Sequence, residues 1–274
     1  SDLFGGDQYI AGQKEPVIDM PTRFVDFMRV LVPMAGDDTT PEGEQVNIYG
    51  NHVGSWNFAA TAYLNRWKVK IYYEHYFDDH SQMFFQYGRW KDGHIGLEIT
   101  FPKNRFIDTF VYEGLGTKDQ TGPMLYDSFW GEFEEQISAK DNYYNHYLYQ
   151  GWQHWGMGIG NPLLPGPIYN KNGQITFISN RVLAHHIGFC GSPCQSLSYR
   201  MLLSYSRHWG TYDNPLNEIK KQFNSLFEVT YAPQQLKGWS FTVSGAMDRG
   251  SLLGNNYGGM LVIRKQGIIK SGNK

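Results

Sequence analysis

A chain of 274 residues with a formal net charge of -2 has no basic field with which to hold nucleic acid. Aromatic residues make up 16% and charged residues only 18%, with 31 glycines, a mixture that favours β-structure with many turns. No apolar run approaches the ~20 residues of a transmembrane helix, which excludes a helical membrane protein but not a membrane barrel, whose strands need only about 9–11 half-polar residues.

The chain opens Ser1-Asp2-Leu3-Phe4-Gly5-Gly6, without Met and without a charged-then-apolar leader, and is expected to be a processed or truncated piece. Residues 1–51 are its least regular part. Arg23 to Val32 reads as a short strand or a helical turn, and Pro33 ends it. Residues 33–50 read as loop, with strong turn chemistry from Gly36 to Gly43.

From Val53 onward the pattern changes to alternation. Trp56, Phe58, Ala60, Ala62 and Leu64 share one face, with Asn57, Thr61 and Tyr63 on the other. Asn65-Arg66 reads as a tight turn, after which Trp67, Val69, Ile71 and Tyr73 oppose Lys68, Lys70, Tyr72 and Glu74. Ile95 to Phe101 alternates again, Pro102 to Asn104 turns, and Arg105 to Tyr112 returns as a strand of ambiguous faces. Ile175 to Phe189 is strand-like but mixed. The clearest strand sets Leu197, Tyr199, Met201, Leu203 and Tyr205 against Ser198, Arg200, Ser204, Ser206 and His208. Strands through Phe223–Tyr231, Trp239–Ser244 and Tyr257–Ile263 close the series.

The connections alternate in length. Those near Asn65-Arg66, Pro102-Asn104, Gly191-Cys194 and Ala232-Gly238 are short, whereas Pro33-Gly50, Asp78-Gly93, Glu113-Gln174, Gly210-Gln222 and Asp248-Asn256 are longer. A meander with short turns on one rim and long loops on the other is the organisation of an outer-membrane barrel. The expected fold is therefore all-β: an antiparallel up-and-down transmembrane β-barrel domain or fragment over 1–274, with about nine or ten strands and long extracellular loops. Residues 114–173 form a long extracellular aromatic loop within it.

Several stretches resemble the capsule-assembly Wzi family of outer-membrane proteins, in the form found in Bacteroides-type bacteria. They are Gly5 to Ile10, Gly50 to His52 with Ser55 to Asn57, Tyr73 to Gln82, Gly116 to Gln120, Gly151 to Leu163 and Gly210 to Asp213. The resemblance implies a closed barrel of roughly 16–18 strands with a periplasmic helical part, of which this chain would be the C-terminal portion. It also implies lectin-like attachment of capsular polysaccharide at the cell surface, no catalysis and no cofactor. The partners it implies are capsular or surface polysaccharide, outer-membrane lipid and other capsule-export components. No ligand-binding motif of the family carries over residue by residue.

Candidate sites follow from the residues themselves. The aromatic stretch Tyr143 to Leu164 carries Tyr143, Tyr144, His146, Trp152, Gln153, His154 and Trp155, which supply both stacking faces and polar partners for a glycan. The same residues would serve equally well as the packing of a plug. Lys68, Lys70, Arg181 and Arg200 are expected as lumen charges able to meet an acidic polysaccharide, or as ordinary ion-paired lining. Cys190 and Cys194 read as a turn disulfide on the periplasmic rim or as two free thiols, and two cysteines do not make a zinc site.

Glu74, His75, Asp78, Asp79 and His80 could hold a metal only if they converge, and alternation sends Glu74 and His75 to opposite faces. His185 and His186 are separated in the same way. A glycosidase would need two opposed carboxyl groups, and no spacing among Glu74, Glu113, Glu132, Glu134 and Glu135 selects a pair. The function expected is a non-enzymatic outer-membrane protein that binds or organises surface polysaccharide. The alternatives are a porin-like sugar channel and a soluble carbohydrate-active β protein.

Overall fold

The computed structural model describes residues 2–10, 12–32, 34–41, 44–45, 49–78, 92–104, 106–120, 142–146, 148–149 and 152–267. Its main body is one antiparallel sheet. The long strands are β2 (Asn51–Leu64), β3 (Trp67–Asp78), β4 (Gly93–Thr100), β5 (Thr109–Gly116), β8 (Val182–Cys194), β9 (Leu197–Gly210), β10 (Pro215–Tyr231), β11 (Trp239–Gly250) and β12 (Asn256–Lys265). A two-residue strand, β1 (Asp2–Leu3), adds to the edge of β2, giving a 10-stranded sheet in simple chain order. Among the described residues, the order is interrupted by a small hairpin of β6 (Gln153–His154) and β7 (Met157–Gly158), which lies outside the main sheet. Among the described residues no ladder joins β12 to β1 or β2, so what is observed is an up-and-down antiparallel sheet.

The registers carry the alternation of the sequence across the whole sheet. Phe58 lies opposite Tyr73, Tyr73 opposite Ile95, Ile71 opposite Leu97 and Leu97 opposite Tyr112. The row continues through Tyr112–Ile187, Ile187–Leu203, Met201–Phe227, Val229–Val243 and Val243–Leu261. One face is therefore largely apolar and aromatic, and it is exposed: Phe58, Ile71, Ile95, Phe227, Val243 and Leu261 each keep more than half of their surface open.

The opposite face is polar and cross-linked. Lys68 Nζ stands 3.7 Å from Glu98 Oε1 and Arg200 3.4 Å from Glu228. His186 Nδ1 meets Ser204 Oγ at 2.7 Å, Asn224 donates to Asp248 at 2.6 Å, and Thr230 pairs with Thr242 at 2.8 Å. Cross-strand pairs of this kind stabilise by roughly 0.2–1 kcal/mol each and satisfy groups that would be costly to bury bare. So many large apolar side chains exposed along one face are unusual on a monomer in water.

The buried core sits at one end of the polar face, built by the segment between β5 and β8. Trp152, Leu164 and Phe177 pack onto Val182 and Ala184 of β8, with Val53 of β2 and Leu115 of β5 closing around them. Burying each of those three large side chains contributes about 1.5–3 kcal/mol. Asn145 fixes the register of this inserted segment by donating to Phe177 O and accepting from Phe177 N–H, both at 2.8 Å. The N-terminal segment joins at the same end through a second cluster of Met20, Leu148 and Tyr149 beside Ile18. Asn51 donates to Tyr149 O at 3.3 Å and Gln8 to Leu148 O at 2.9 Å.

One open reading is decided, in favour of its helical alternative, and several expectations are corrected. Arg23–Val32 resolves as helix α1 (Phe24–Leu31), started by Asp26, whose carboxylate accepts the Arg23 N–H at 2.9 Å and is flanked by Arg23 and Arg29. The mixed stretch from Ile175 is strand only from Val182. Cys190 and Cys194 do not sit in a turn: both belong to β8, whose turn to β9 is Gln195-Ser196, and both are free thiols.

The strict alternation of loop lengths also weakens. Connections 79–92 and 117–181 are long and share a rim, but 211–214 on that rim is shorter than 101–108 and 232–238 on the other. The charged run Asn217–Lys221, which reads as loop, extends β10 past a register shift between Pro215 and Lys220. At the opposite rim, the turn between β2 and β3 is as expected, with Leu64 opposite Trp67 and Asn65 at φ +56°, a conformation Asn tolerates well.

Candidate functional site

The aromatic segment divides into a packed part and a presented part. Tyr143 is buried and its hydroxyl donates to Asp92 Oδ2 at 3.1 Å. Tyr144 packs its ring 6.3 Å from Trp152 and 5.1 Å from Phe177, and its hydroxyl accepts from Asn161 N–H at 3.3 Å. Trp152 is only 8% exposed and belongs to the core.

His146 is likewise structural. Its Nδ1 accepts from the backbone N–H groups of Leu148 and Tyr149 at 3.2 and 3.4 Å, which fixes the proton on Nε2, 3.7 Å from Glu44. Burial, helped by the nearby His52, pushes the imidazole down to about 4, so it is neutral at physiological pH.

The presented part is the β6–β7 hairpin. Gln153 Oε1 accepts the Gly156 N–H at 2.6 Å and so closes the turn Trp155-Gly156, whose residues stand at φ +53° and +77°. Two positive φ values in a two-residue turn match the twist of a hairpin. Gly156 also lies against Ile168, whose N–H it binds at 2.8 Å, so a Cβ there would meet Ile168 backbone at 3.0 Å. The outcome is an indole held at the tip of a braced hairpin: Trp155 is 85% exposed, with His154 beside it at 6.1 Å between ring centres.

Beneath this segment lies a cavity of about 820 Å³, floored by the polar face of β2–β5, β8 and β9 and roofed by Tyr143, Tyr144 and residues 160–164. Its floor carries Glu74, His94 and Glu113 on three adjacent strands. His94 Nδ1 stands 3.8 Å from Glu74 and its Nε2 3.5 Å from Glu113. Ser55 Oγ donates to Glu74 at 2.7 Å, and the Tyr72 hydroxyl donates to Glu113. Tyr72 reaches Glu113 because its ring lies over Gly96, where any side chain would collide with it.

Asp92, immediately before β4, ties the segment to the sheet. It accepts the N–H of Asp119 at 2.9 Å and that of Gln120, besides the Tyr143 hydroxyl. Burial outweighs these donors and raises its carboxyl to about 6.

The expected lumen charges lie away from the cavity. Lys68 pairs with Glu98, and Lys70 lies over the Tyr72 ring at 5.2 Å. Arg200 pairs with Glu228 near the far rim, in a smaller recess that includes Cys190. Arg181 precedes β8 at the rim, stacked on Tyr212 at 3.8 Å with its Nε donating to Lys118 O at 3.1 Å.

The histidine separations hold. His185 bonds Tyr112 on the outward face while His186 faces the cavity, and His75 is buried on the face opposite Glu74. Asp79, His80, Glu132, Glu134 and Glu135 lie outside the described residues, as does the side chain of Asp78. Among the described residues no cluster of three or more His, Cys, Asp or Glu side chains could hold a metal ion.

Sequence reasoning named Glu74 and Glu113 without pairing them, placed His186 and Ser204 by alternation without assigning them to a site, and missed His94 and Ser55. Parity alone assigns these residues to the polar face. Their convergence depends on strand register across the long connections 79–92 and 117–181, which no turn motif fixes. Comparison with protein-family models and with curated proteins gives no match for this chain.

Proposed function

We propose that this chain is an outer-membrane β-barrel, or part of a larger one, that binds surface polysaccharide without performing chemistry. The observation that carries the membrane reading is the inversion of the sheet: its apolar, aromatic face is exposed, while its polar face holds the ion pairs and the buried core. In water the apolar face would be the covered one; in a bilayer the outward face is apolar and the lumen polar. The antiparallel chain-order meander supports the same reading, since closure of such a sheet leaves no bare edge in lipid. The rim bearing the inserted segment is then the extracellular one.

The polysaccharide reading rests on how that segment displays its residues. A largely exposed Trp155 on a braced hairpin, beside His154 and above a cavity lined by carboxylates, tyrosines and small polar groups, offers stacking faces and hydroxyl partners together. The similarity of Gly151 to Leu163 to the Wzi capsule-assembly family supports the same assignment. A segment packed onto the polar face is less suited to an open porin, whose lumen must conduct.

Retention of purified capsular polysaccharide by detergent-solubilised protein tests the reading. Trp155→Ala is expected to weaken retention at least about tenfold, within the ≈ 1–3 kcal/mol range of a stacked aromatic contact, and to leave unfolding unchanged. Unaltered retention by Trp155→Ala would remove the hairpin from the mechanism.

A further inference from the structure

The cavity under the inserted segment is lined by acidic side chains and, among the described residues, by no strongly basic ones. At about 820 Å³ it lies within the ~300–1,000 Å³ span of ligand sites, and its roof and upper wall present Tyr76, Phe77, Tyr143 and Tyr144 over a polar floor. Among the described residues that line it, Glu74 and Glu113 are the only carboxylates and there is no Lys or Arg. Each carboxylate keeps about a third of its surface open, 30% for Glu74 and 29% for Glu113, so neither is sealed within its own contacts. The two carboxylates are matched by at most two imidazoles, His94 and His186, so the lining offers an anion no net positive charge. The basic residues that would welcome an acidic polymer are engaged elsewhere: Lys68 with Glu98, Arg200 with Glu228 and Arg181 with Tyr212.

We propose that this cavity selects neutral glycan units, bearing hydroxyl or N-acetyl groups, and rejects uronic-acid or phosphate-bearing ones; this deepens the polysaccharide reading above and rests on it. An ionised carboxylate is acceptor-only, so it matches the hydroxyl and amide donors of a neutral sugar through charge-assisted hydrogen bonds. Against a sugar carboxylate or phosphate the same group has no donor to offer and adds like-charge repulsion in a partly desolvated site. The tyrosines and Phe77 accept the C–H faces of a ring whatever its charge, so Glu74 and Glu113 decide the selectivity.

The experiment uses the full chain in detergent and two probe classes, N-acetylchitohexaose and dextran fragments as neutral glycans, oligogalacturonate and alginate fragments as acidic ones. Wild-type protein is expected to bind the neutral probes at least about tenfold more tightly, with little dependence on salt. Glu74→Gln and Glu113→Gln, each nearly isosteric, are expected to narrow that preference about tenfold by admitting the acidic probes. Heat-modifiable mobility on gels confirms that each variant is folded, and the wild-type salt series keeps the test intact should one variant not fold. Acidic probes bound as tightly as neutral ones by wild-type protein would overturn the charge selection while leaving polysaccharide binding standing. Failure of wild-type protein to bind either class would overturn both.

Discussion

Val243 lies at the middle of β11, flanked on the outward face by Val229 and Leu261, and is 61% exposed. If that face meets water, Val243→Arg places a charge where a charge is comfortable, and stability moves by no more than about 0.5 kcal/mol. If it meets lipid near the bilayer midplane, the same substitution costs about 2–4 kcal/mol, or roughly 30- to 900-fold in the folding equilibrium. Thr242, one residue earlier, faces the polar side and pairs with Thr230, so Thr242→Ser is a matched control expected to stay within about 1 kcal/mol. The assay is denaturant unfolding from phospholipid vesicles, followed by tryptophan fluorescence. A cost below about 0.5 kcal/mol for Val243→Arg would refute the assignment of this face to lipid.

Trp152→Ala removes an indole from the core of the inserted segment and is expected to cost about 3–5 kcal/mol, in contrast to the silent Trp155→Ala, as measured by unfolding midpoints. His146 gives a pH signature. Its folded value, depressed from 6.5 to about 4, means that its contribution is fully present above pH 6.5 and is lost as pH falls toward 4. The loss is at most about 3 kcal/mol, and His146→Gln, which keeps an acceptor without a titrating group, is expected to flatten that part of the stability curve. Asp92 works in the opposite sense: raised to about 6, it favours the fold below pH 3.8 and loses that advantage as pH rises through 6. Comparing wild type with His146→Gln separates the two, because Asp92 is common to both; identical acid profiles would refute the role given to His146. Maleimide labelling is expected to modify exposed Cys194 faster than half-buried Cys190, and protection of both under non-reducing conditions would contradict the free thiols.

The strands were readable wherever one face alternates without interruption, as in β9, and wherever a two-residue turn joined them, as at Asn65-Arg66. The start of β10 is hidden in the sequence because Asn217–Lys221 carries the polar composition of a loop, yet its backbone pairs with β9 from Lys220 onward. Cys190 and Cys194 suggested a turn because Gly191 and Pro193 punctuate them, and an irregular register absorbs that punctuation inside β8 instead. The aromatic segment was recognisable as folded from its composition. Its division was not: Trp152 and Trp155 are three residues apart in one run, and only the turn closed by Gln153 sends one inward and the other out. The cavity was least accessible of all, because Glu74, His94 and Glu113 come from strands whose register depends on long connections rather than on local pattern.

The inversion of the sheet's two faces is the centre of the account, and spin-label accessibility reads it most directly. Single cysteines at positions 241 to 245 of β11, in a Cys190→Ser and Cys194→Ser background reconstituted into vesicles, would report alternately from the two faces. The account predicts that labels at 241, 243 and 245 collide with oxygen and are shielded from a water-soluble nickel chelate, with 242 and 244 out of phase. Uniform access of the nickel chelate to the odd positions would contradict it.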